Sequence, residues 1–340
     1  MTKALDTQKK RSEKMAAVAV AAVAAFSLAF IGLIVVLEDM ANRSANERAY
    51  VAEASSVEPF YVLLIGSDSR KETALYTGKK TEHAQVDQHS DVMTLMRVDP
   101  ETYTITLVSV PRDTVLKGSN TKINNALLGN DPEDVVEIVE FLTGVDIPYY
   151  MMTTFTSFHV LIDAMGGVTV DVPKSIKVSD PMTAEDVKLS AGKSQHLGGA
   201  EALVLARARK EYVIDQDALR QMNVRNLEVA ILQKALSANG EERINDLLAD
   251  LAENTTTNLD MAEVGYLAAD FIANRDLVNV YSCTGPWRGG ENADGLWVIE
   301  EDPETWAELM AVVDAGADPA GIVAEPKPLC TDARACGFGA

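Results

Sequence analysis

The chain has 340 residues, of which 47% are hydrophobic, and a formal net charge of −21 at pH 7. This length suffices for one large domain or two small ones with an ample core. The acidic balance argues against a nucleic-acid partner, because binding a phosphate backbone requires a basic surface. Such a balance is more often only the solvated surface of a protein outside the cell.

The first predicted element is a membrane segment. Residues 15–37 contain no charged side chain and are long enough to cross a bilayer as a helix. Basic residues outnumber acidic ones in residues 1–14, so the positive-inside rule keeps this tail cytoplasmic and the rest of the chain outside. A cleaved signal peptide is the alternative, but the apolar stretch is longer than a usual signal core and no clear cleavage site follows. We therefore predict a single-pass protein of the cell membrane with an extracytoplasmic domain.

Composition divides the chain after this segment into three parts. Residues 38–58 are polar and predict a stalk, and residues 59–316 predict one domain without internal repeats. Within that domain, residues 71–90 are polar and rich in Gly, Lys and Gln, which is typical of a mobile loop. Residues 317–340 are rich in Pro, Ala and Gly and predict a flexible tail.

Strands and helices alternate along the predicted domain. Strands are predicted at residues 61–65, 92–98, 104–110, 149–153, 168–172 and 277–281. Helices are predicted at residues 131–142, 156–165, 197–206, 218–236, 244–252, 261–273 and 303–314. The turn at residues 99–102 forms a hairpin, which requires antiparallel pairing. We therefore predict an α/β fold, a single three-layer α/β/α domain on a mixed central sheet.

Polar fragments follow or precede several of these strands. They are Gly66-Ser67-Asp68-Ser69-Arg70, Ser90-Asp91, Pro111-Arg112-Asp113-Thr114 and Gly166-Gly167-Val168, with Arg207-Ala208-Arg209 further on. A turn-capping role is common for a single aspartate, and a solvated surface position is the default for a single arginine. Carboxylates and arginines gathered at the ends of strands nevertheless indicate one site for an anionic ligand.

The two strand-end aspartates predict a metal site. Asp68 follows its strand and Asp91 precedes its own, so antiparallel pairing of the two strands brings their carboxylates within a few ångströms. Two carboxylates can hold Mg²⁺ (or Mn²⁺), which prefers oxygen ligands and often completes its shell with substrate phosphates. The predicted metal ligands are therefore Asp68 and Asp91.

The arginines predict a phosphate cradle, because a guanidinium binds phosphate through two parallel hydrogen bonds. Arg207 and Arg209 are two residues apart and share a face only where the chain is extended, which the predicted end of a helix permits. The next predicted helix adds two further polar side chains. The predicted substrate-binding residues are Arg70, Arg112, Arg207, Arg209, Arg220 and Gln221.

These fragments, with Lys122-Ile123-Asn124 and the Arg220-Gln221 helix, resemble the LytR–CpsA–Psr family in order and spacing. The likeness covers about residues 60–236 and extends more weakly to about 315. The resemblance implies a metal-dependent phosphotransferase that takes a glycopolymer, such as a teichoic acid, from a polyprenyl-pyrophosphate carrier in the cytoplasmic membrane. It implies attachment to the C6 hydroxyl of N-acetylmuramic acid in peptidoglycan, during cell-wall assembly.

The resemblance also implies roles for single residues. Asp68 and Asp91 match the aspartates that bind Mg²⁺, and Arg112, Arg207 and Arg209 match arginines that hold the pyrophosphate. The proton of the attacking hydroxyl could be accepted by Asp68, Asp91 or Asp113, which with Arg112 make up the predicted catalytic residues. The polyprenyl chain is expected in an apolar tunnel, for which the candidate lining residues are Val136, Val139, Phe155, Phe158, Ile162 and Met165, although each is also an ordinary core residue.

The chain departs from the family pattern in two places. His89 stands where the family often has an arginine, and its charge depends on pH. The family's late helix reads Asp-x-x-Arg-x-x-Arg-Gln. Asp217 and Arg220 fit its first half, whereas aligning Arg220 and Gln221 with its Arg-Gln requires a one-residue gap. The sequence leaves both registers open.

Two other functions also remain open. The departures favour a binding protein that holds the lipid-linked polymer without transferring it, and the same cradle could position water in a lipid pyrophosphatase. The sequence does not reveal which glycopolymer is moved.

The cysteines allow a disulfide outside the membrane, either between Cys330 and Cys336 or between Cys283 and one of these.

Overall fold

The structure is a computed structural model that describes residues 58–69, 88–237, 256–260, 267 and 270–327. Several predicted features lie outside the described residues: the basic tail, the membrane segment at residues 15–37, nearly all of the stalk, Arg70, the helix at 244–252, Cys330 and Cys336. None of the helices in the described part of the chain has the length and apolarity that crossing a bilayer requires.

Thirteen strands occur in the described residues. Their bounds are β1 Phe60–Ser67, β2 Ser90–Asp99, β3 Thr104–Ser109, β4 Thr114–Val115, β5 Tyr149–Thr153, β6 Val168–Val172, β7 Ile176–Ser179, β8 Asp186–Leu189, β9 Gly192–Leu197, β10 Thr256–Thr257, β11 Asn279–Thr284, β12 Gly290–Glu291 and β13 Trp297–Glu300. Six of them form the central sheet in the order β10-β5-β1-β2-β3-β11. β1 pairs with β2 and β2 with β3 in antiparallel orientation, while β1/β5 and β3/β11 are parallel. The predicted mixed sheet is confirmed.

Helices cover both faces of this sheet. Their bounds are α1 Pro132–Thr143, α2 Phe155–Ala164, α3 Gly199–Arg207, α4 Gln216–Leu236 and α5 Pro303–Asp314. One buried apolar cluster joins the sheet to α2, α3 and α4, and a second joins its other face to α1 and α5. Strands β1 and β2 contribute alternate residues to the two clusters, as the two-residue period of a strand dictates.

Capping residues fix where several helices begin. Asp131 accepts a hydrogen bond from the Glu133 amide ahead of α1, and Asp302 accepts one from Thr305 ahead of α5. In both helices a proline occupies the first turn, where its missing N–H leaves no hydrogen bond unmade. The predicted start of α1 and both predicted bounds of α5 are therefore confirmed.

Two small antiparallel sheets were not predicted. β6 pairs with β9 and β7 with β8. Strands β7 and β8 alternate apolar and polar residues over only four positions each, and β9 is mostly polar and exposed, so none of them carries the longer apolar pattern that marks a buried strand. Leu197 belongs to β9, so the helix predicted from 197 begins at Gly199 instead.

The chain after α5 is packed as far as residue 327. Ile322 and Val323 contact the apolar cluster under α1 and α5, and Glu325 forms an ion pair with Arg225 at 2.6 Å. Residues 317–327, which the sequence assigns to a flexible tail, therefore contact the domain through two apolar side chains and one ion pair.

Candidate active site

The antiparallel pairing of β1 and β2 brings the two predicted metal ligands to one edge of the sheet. Gly66 faces Val92 and Ser67 faces Ser90, so Asp68 and Asp91 lie at adjacent strand ends, as predicted. A Cβ on Gly66 would lie 2.8 Å from the Cβ of Val92, so only glycine fits this close crossing.

Asp68 is held by the backbone of the facing strand. Its Oδ1 accepts a hydrogen bond from the His89 amide at 2.8 Å, and its Oδ2 lies 3.5 Å from His89 Nδ1. Burial raises the pKa of Asp68, the hydrogen bond from His89 opposes that rise, and the negative charge of Asp91 adds to it. A cation beside the Asp68 and Asp91 carboxylates would therefore offset their repulsion and stabilise the ionised form of Asp68.

Arg112 is an interior side chain, contrary to the expectation that it is a surface arginine. Its side chain is 12% exposed, it pairs with Asp91 Oδ1, and its Nε lies 3.0 Å from Asp217 Oδ1. Burial lowers the pKa of Arg112, but Asp217, Asp91 and Asp113 together raise it above its usual value. Arg112 therefore remains charged, and its removal would leave buried carboxylates unpaired.

Asp217 lies at the centre of the arginine cluster, and the sequence did not single it out as a site residue. It accepts hydrogen bonds from Arg220 Nε at 2.9 Å and Gln221 Nε2 at 2.7 Å, and Arg209 Nε lies 3.7 Å away. Burial would raise the pKa of Asp217, but Arg220 and Arg112 hold it far below the usual range of a carboxyl. Asp217 thus stays ionised and positions the guanidiniums around it.

In the structure, α4 brings Arg220 and Gln221 to the strand-end residues. Arg220 reaches across to β2, where its guanidinium donates to the Asp91 carbonyl oxygen at 2.7 Å, and Gln221 is bound to Asp217. Asn223, by contrast, bonds the Tyr212 hydroxyl in the core. Arg220 and Gln221 are therefore the pair that belongs to the site, and Asn223 is a core residue.

Arg207 and Arg209 reach the same cavity because the helix ends between them. Arg207 is the last residue of α3, and Ala208 already has extended backbone angles. The Arg207 guanidinium lies 5.0 Å from the centre of the Phe155 ring, a cation–π contact. Arg209 is 40% exposed and contacts Asp113 and Asp217 only at 3.9 and 3.7 Å. Its charge is the more available of the two for a ligand.

Asp113, predicted as catalytic, is buried and paired. Its carboxylate accepts a hydrogen bond from Lys122 Nζ at 2.8 Å and does not line the cavity described below. This placement suits a residue that fixes Arg112 and Arg209 better than one that takes a proton from substrate.

A cavity of about 460 Å³ opens beside these groups. One part of its wall is charged: Asp68, Asp91, Arg112, Arg207, Arg209, Lys210, Glu211 and Arg220. The other part is mainly apolar, with Val92, Phe155, Phe158, Val178, Leu203, Ala206 and Val224, and its one charged side chain is Glu228. Gly66 and the hydroxyl residues Ser67, Thr153 and Thr154 complete the lining. A cavity with one charged and one apolar region fits a ligand that is itself amphipathic.

The predicted tunnel lining is correct only for Phe155 and Phe158. Val136 and Val139 pack in the cluster under α1, on the opposite face of the sheet, and Ile162 and Met165 belong to the core behind the cavity. Their apolar character could not distinguish the two faces. The sequence also did not single out Lys210, Glu211 and Glu228, which line the cavity. Glu228 lies within the predicted helix at residues 218–236, where nothing in the sequence distinguished it from other helix residues.

The fold is that of a recognisable class. The sequence profile of the LytR_cpsA_psr family matches residues 33–311, and the chain belongs to this family. A relative from Bacillus mycoides, named polyisoprenyl-teichoic acid–peptidoglycan teichoic acid transferase TagU, is 30% identical over 250 residues, which are 72% of this chain and 75% of the relative.

Solved structures share the fold. TagV of B. subtilis is 26% identical with a TM-score of 0.59, and the match covers 77% of this chain and 99% of TagV. TagT bound to LI-WTA has the same TM-score at 22% identity, covering 77% of this chain and 92% of TagT. The second likeness concerns the fold alone.

Proposed function

We propose that this protein transfers a glycopolymer from a polyprenyl-pyrophosphate carrier to peptidoglycan, at the C6 hydroxyl of N-acetylmuramic acid. The observation that carries the proposal is the division of the cavity into an arginine-rich region beside two carboxylates and an apolar region beyond it. The carrier has the same two parts, a pyrophosphate and a hydrocarbon chain. The named activity of the B. mycoides relative supports the same reaction class.

The chemistry follows from the charged groups. The acceptor oxygen bonds to the phosphorus that carries the glycopolymer, the bond from that phosphorus to the bridging oxygen breaks, and polyprenyl phosphate leaves. Arg112, Arg207 and Arg209 would neutralise the charge that develops on the leaving phosphate. Asp91 is paired with Arg112 and Asp113 with Lys122, which leaves Asp68 as the candidate acceptor for the hydroxyl proton, through the carboxylate oxygen that does not bind the cation proposed below.

Asp68 and Asp91 fit a divalent cation such as Mg²⁺ or Mn²⁺. Burial and repulsion from Asp91 already raise the pKa of Asp68, and the Oδ2 atom of Asp68 lies 3.5 Å from Nδ1 of the His89 imidazole. No group of three or more His, Cys, Asp or Glu residues suited to a metal occurs in the described ranges, so phosphate oxygens and water would complete the shell. When bound, such an ion supplies charge stabilisation at the pyrophosphate.

This arrangement predicts that the two aspartates act as one unit. Asp68→Asn and Asp91→Asn should each abolish metal-dependent transfer, and the double variant should be scarcely worse than either single one, because each half alone holds no ion. Transfer rates with and without excess chelator give the measurement. Full activity in excess EDTA, or simple additivity of the two losses, would exclude a shared ion.

We further propose that the domain lies outside the cell and is tethered by residues 15–37. The carrier lipid stays in the bilayer, so a tethered site remains within its reach. Protease added to intact protoplasts should digest the protein beyond about residue 45, where the membrane segment has ended. Complete protection of that region, with digestion only after lysis, would contradict the extracytoplasmic placement.

A turnover assay separates transfer from its two alternatives. Lipid-linked glycopolymer is incubated with the full-length protein, with and without peptidoglycan, and polymer, lipid phosphate and free pyrophosphate products are followed. A transferase releases polyprenyl phosphate only when acceptor is present and links the polymer to peptidoglycan. Release without acceptor would identify a pyrophosphatase, and binding without any product would identify a carrier protein.

A further inference from the structure

A buried carboxylate lies in the apolar region of the cavity and has no part in the chemistry above. Glu228 is three turns beyond Asp217 on the same face of α4, about 16 Å along the helix axis. It is 2% exposed and lines the cavity with Val224 and Val92. An acidic side chain at this depth is unexpected in a wall suited to hydrocarbon.

Only one oxygen of this carboxylate has a partner. Oε1 accepts a hydrogen bond from Thr94 at 3.0 Å, whereas the buried Oε2 has none among the described residues. A buried polar atom without a partner carries a substantial free-energy cost, which is far larger for a charged group. Burial raises the pKa of Glu228 to about 7, although the Thr94 hydrogen bond and Arg225 oppose the rise.

The surrounding charges do not neutralise Glu228. Arg225 on α4 is the nearest cation, but it donates to Ser109 Oγ at 2.7 Å and pairs with Glu325 from the chain after α5 at 2.6 Å. Cys283 on β11 lies on the other side of the sheet, in the apolar cluster under α1 and α5, so its thiol does not face Glu228. The other charged groups on β2 and α4 are also paired or distant: Arg97 pairs with Asp99 at 3.0 Å, Arg220 pairs with Asp217, and Lys234 is exposed near the end of α4. Arg112, which follows β3, is committed to Asp91 and Asp217.

We propose that Glu228 couples the binding of a long isoprenoid chain to the uptake of a proton, so that the cavity accepts the chain when this carboxyl is neutral. The inference rests on the proposed function, because it requires an isoprenoid in the apolar region. A chain that fills this region replaces the solvent of the cavity beside the buried carboxyl with hydrocarbon, and an ionised carboxylate against hydrocarbon is far less stable than the neutral acid. Affinity for the chain therefore falls as the pH rises.

Equilibrium binding of geranylgeranyl diphosphate tests this coupling. The full-length protein is placed in lipid nanodiscs, with empty nanodiscs subtracted, and titrated between about pH 5.5 and 8.5, a range that spans the shifted carboxyl. Wild-type affinity should weaken with a slope that approaches tenfold for each pH unit above the pKa of Glu228. Glu228→Gln, which mimics the neutral acid, should lose this slope, and inorganic pyrophosphate should show the same pH profile in both proteins.

Glu137→Gln serves as the matched control, since Glu137 is an exposed acid on α1, on the opposite face of the sheet. It should keep the wild-type slope. A second measurement needs no variant: calorimetry in buffers of different ionisation enthalpy, at about pH 8, should find nearly one more proton taken up with geranylgeranyl diphosphate than with inorganic pyrophosphate.

Equal proton uptake with the two ligands, or the same slope in wild type and Glu228→Gln, would overturn the coupling and leave the proposed function intact. Failure of the wild type to bind geranylgeranyl diphosphate at any pH would overturn both.

Discussion

Asp217→Asn should lower the free energy of unfolding by about 3–5 kcal/mol, the range found when one partner of a buried ion pair is removed. The Asp217 carboxylate is shared by Arg112, Arg209 and Arg220, with distances of 3.0, 3.7 and 2.9 Å. An amide can accept some of these hydrogen bonds but leaves the guanidiniums without their common counter-charge. Urea unfolding of both proteins, with the midpoint compared at constant slope, gives the change.

The loss should depend on pH in a defined direction. The pKa of Asp217 is held below its usual range, so its stabilisation is fully present above the unfolded-state value of about 4 and is lost as the pH falls through the folded-state value. The difference between wild type and Asp217→Asn should therefore shrink in acid.

Asp186→Asn is the matched control for this variant. Asp186 also pairs with a cation, Lys177 at 2.5 Å, but on the exposed β7/β8 hairpin. Solvent screens such a pair, so unfolding of this variant should match the wild type. An equally stable Asp217→Asn protein would show that the arginines do not depend on their shared carboxylate.

Arg209→Ala should reduce transfer by about 10²–10³-fold, the loss typical of removing one charge-stabilising donor, while leaving the fold intact. Arg209 is 40% exposed and its ion pairs are long, so the wild-type domain depends little on it. Transfer rates with lipid-linked polymer and peptidoglycan, together with a thermal unfolding curve, separate the two effects.

Lys177→Ala is the corresponding control, because Lys177 is 55% exposed, paired with a carboxylate and absent from the cavity wall. It should transfer at the wild-type rate. If Arg209→Ala transfers normally, the exposed arginine has no part in holding the pyrophosphate. If it unfolds, its role is structural.

The fold was predictable where the local signals agreed. Residues 149–153 and 303–314 carry an apolar strand pattern and a capped helix pattern, and both elements have the predicted bounds. The β7/β8 hairpin was missed although its strands alternate apolar and polar residues, because each strand has only four residues and the alternation is too short to stand out. Val139 and Phe158 lie on opposite faces of the sheet. The hydrophobic periodicity of a helix shows that one side of it is buried, but it does not show which face of the sheet the helix covers.

The site was predictable at strand ends and less so within helices. Asp68 and Asp91 stood out because the hairpin-like order of their strands determines their proximity. Asp217 was read as part of a motif whose register was open, and its importance arises only from arginines that three separate segments bring to it. The burial of Arg112 between Asp91 and Asp217 likewise depends on segments that are distant in the sequence.

Photo-crosslinking with an isoprenoid diphosphate would test the placement of the carrier lipid most directly. With the photoreactive group at the far end of the chain, labelled peptides should come from α2, α3 and α4 around Phe158, Leu203 and Val224. With the group beside the diphosphate, labelling should move to the segments around Asp91 and Arg209. Labelling of α1 and α5 by the chain end, or the same peptides from both probes, would contradict a cavity whose charged region holds the pyrophosphate and whose apolar region holds the chain.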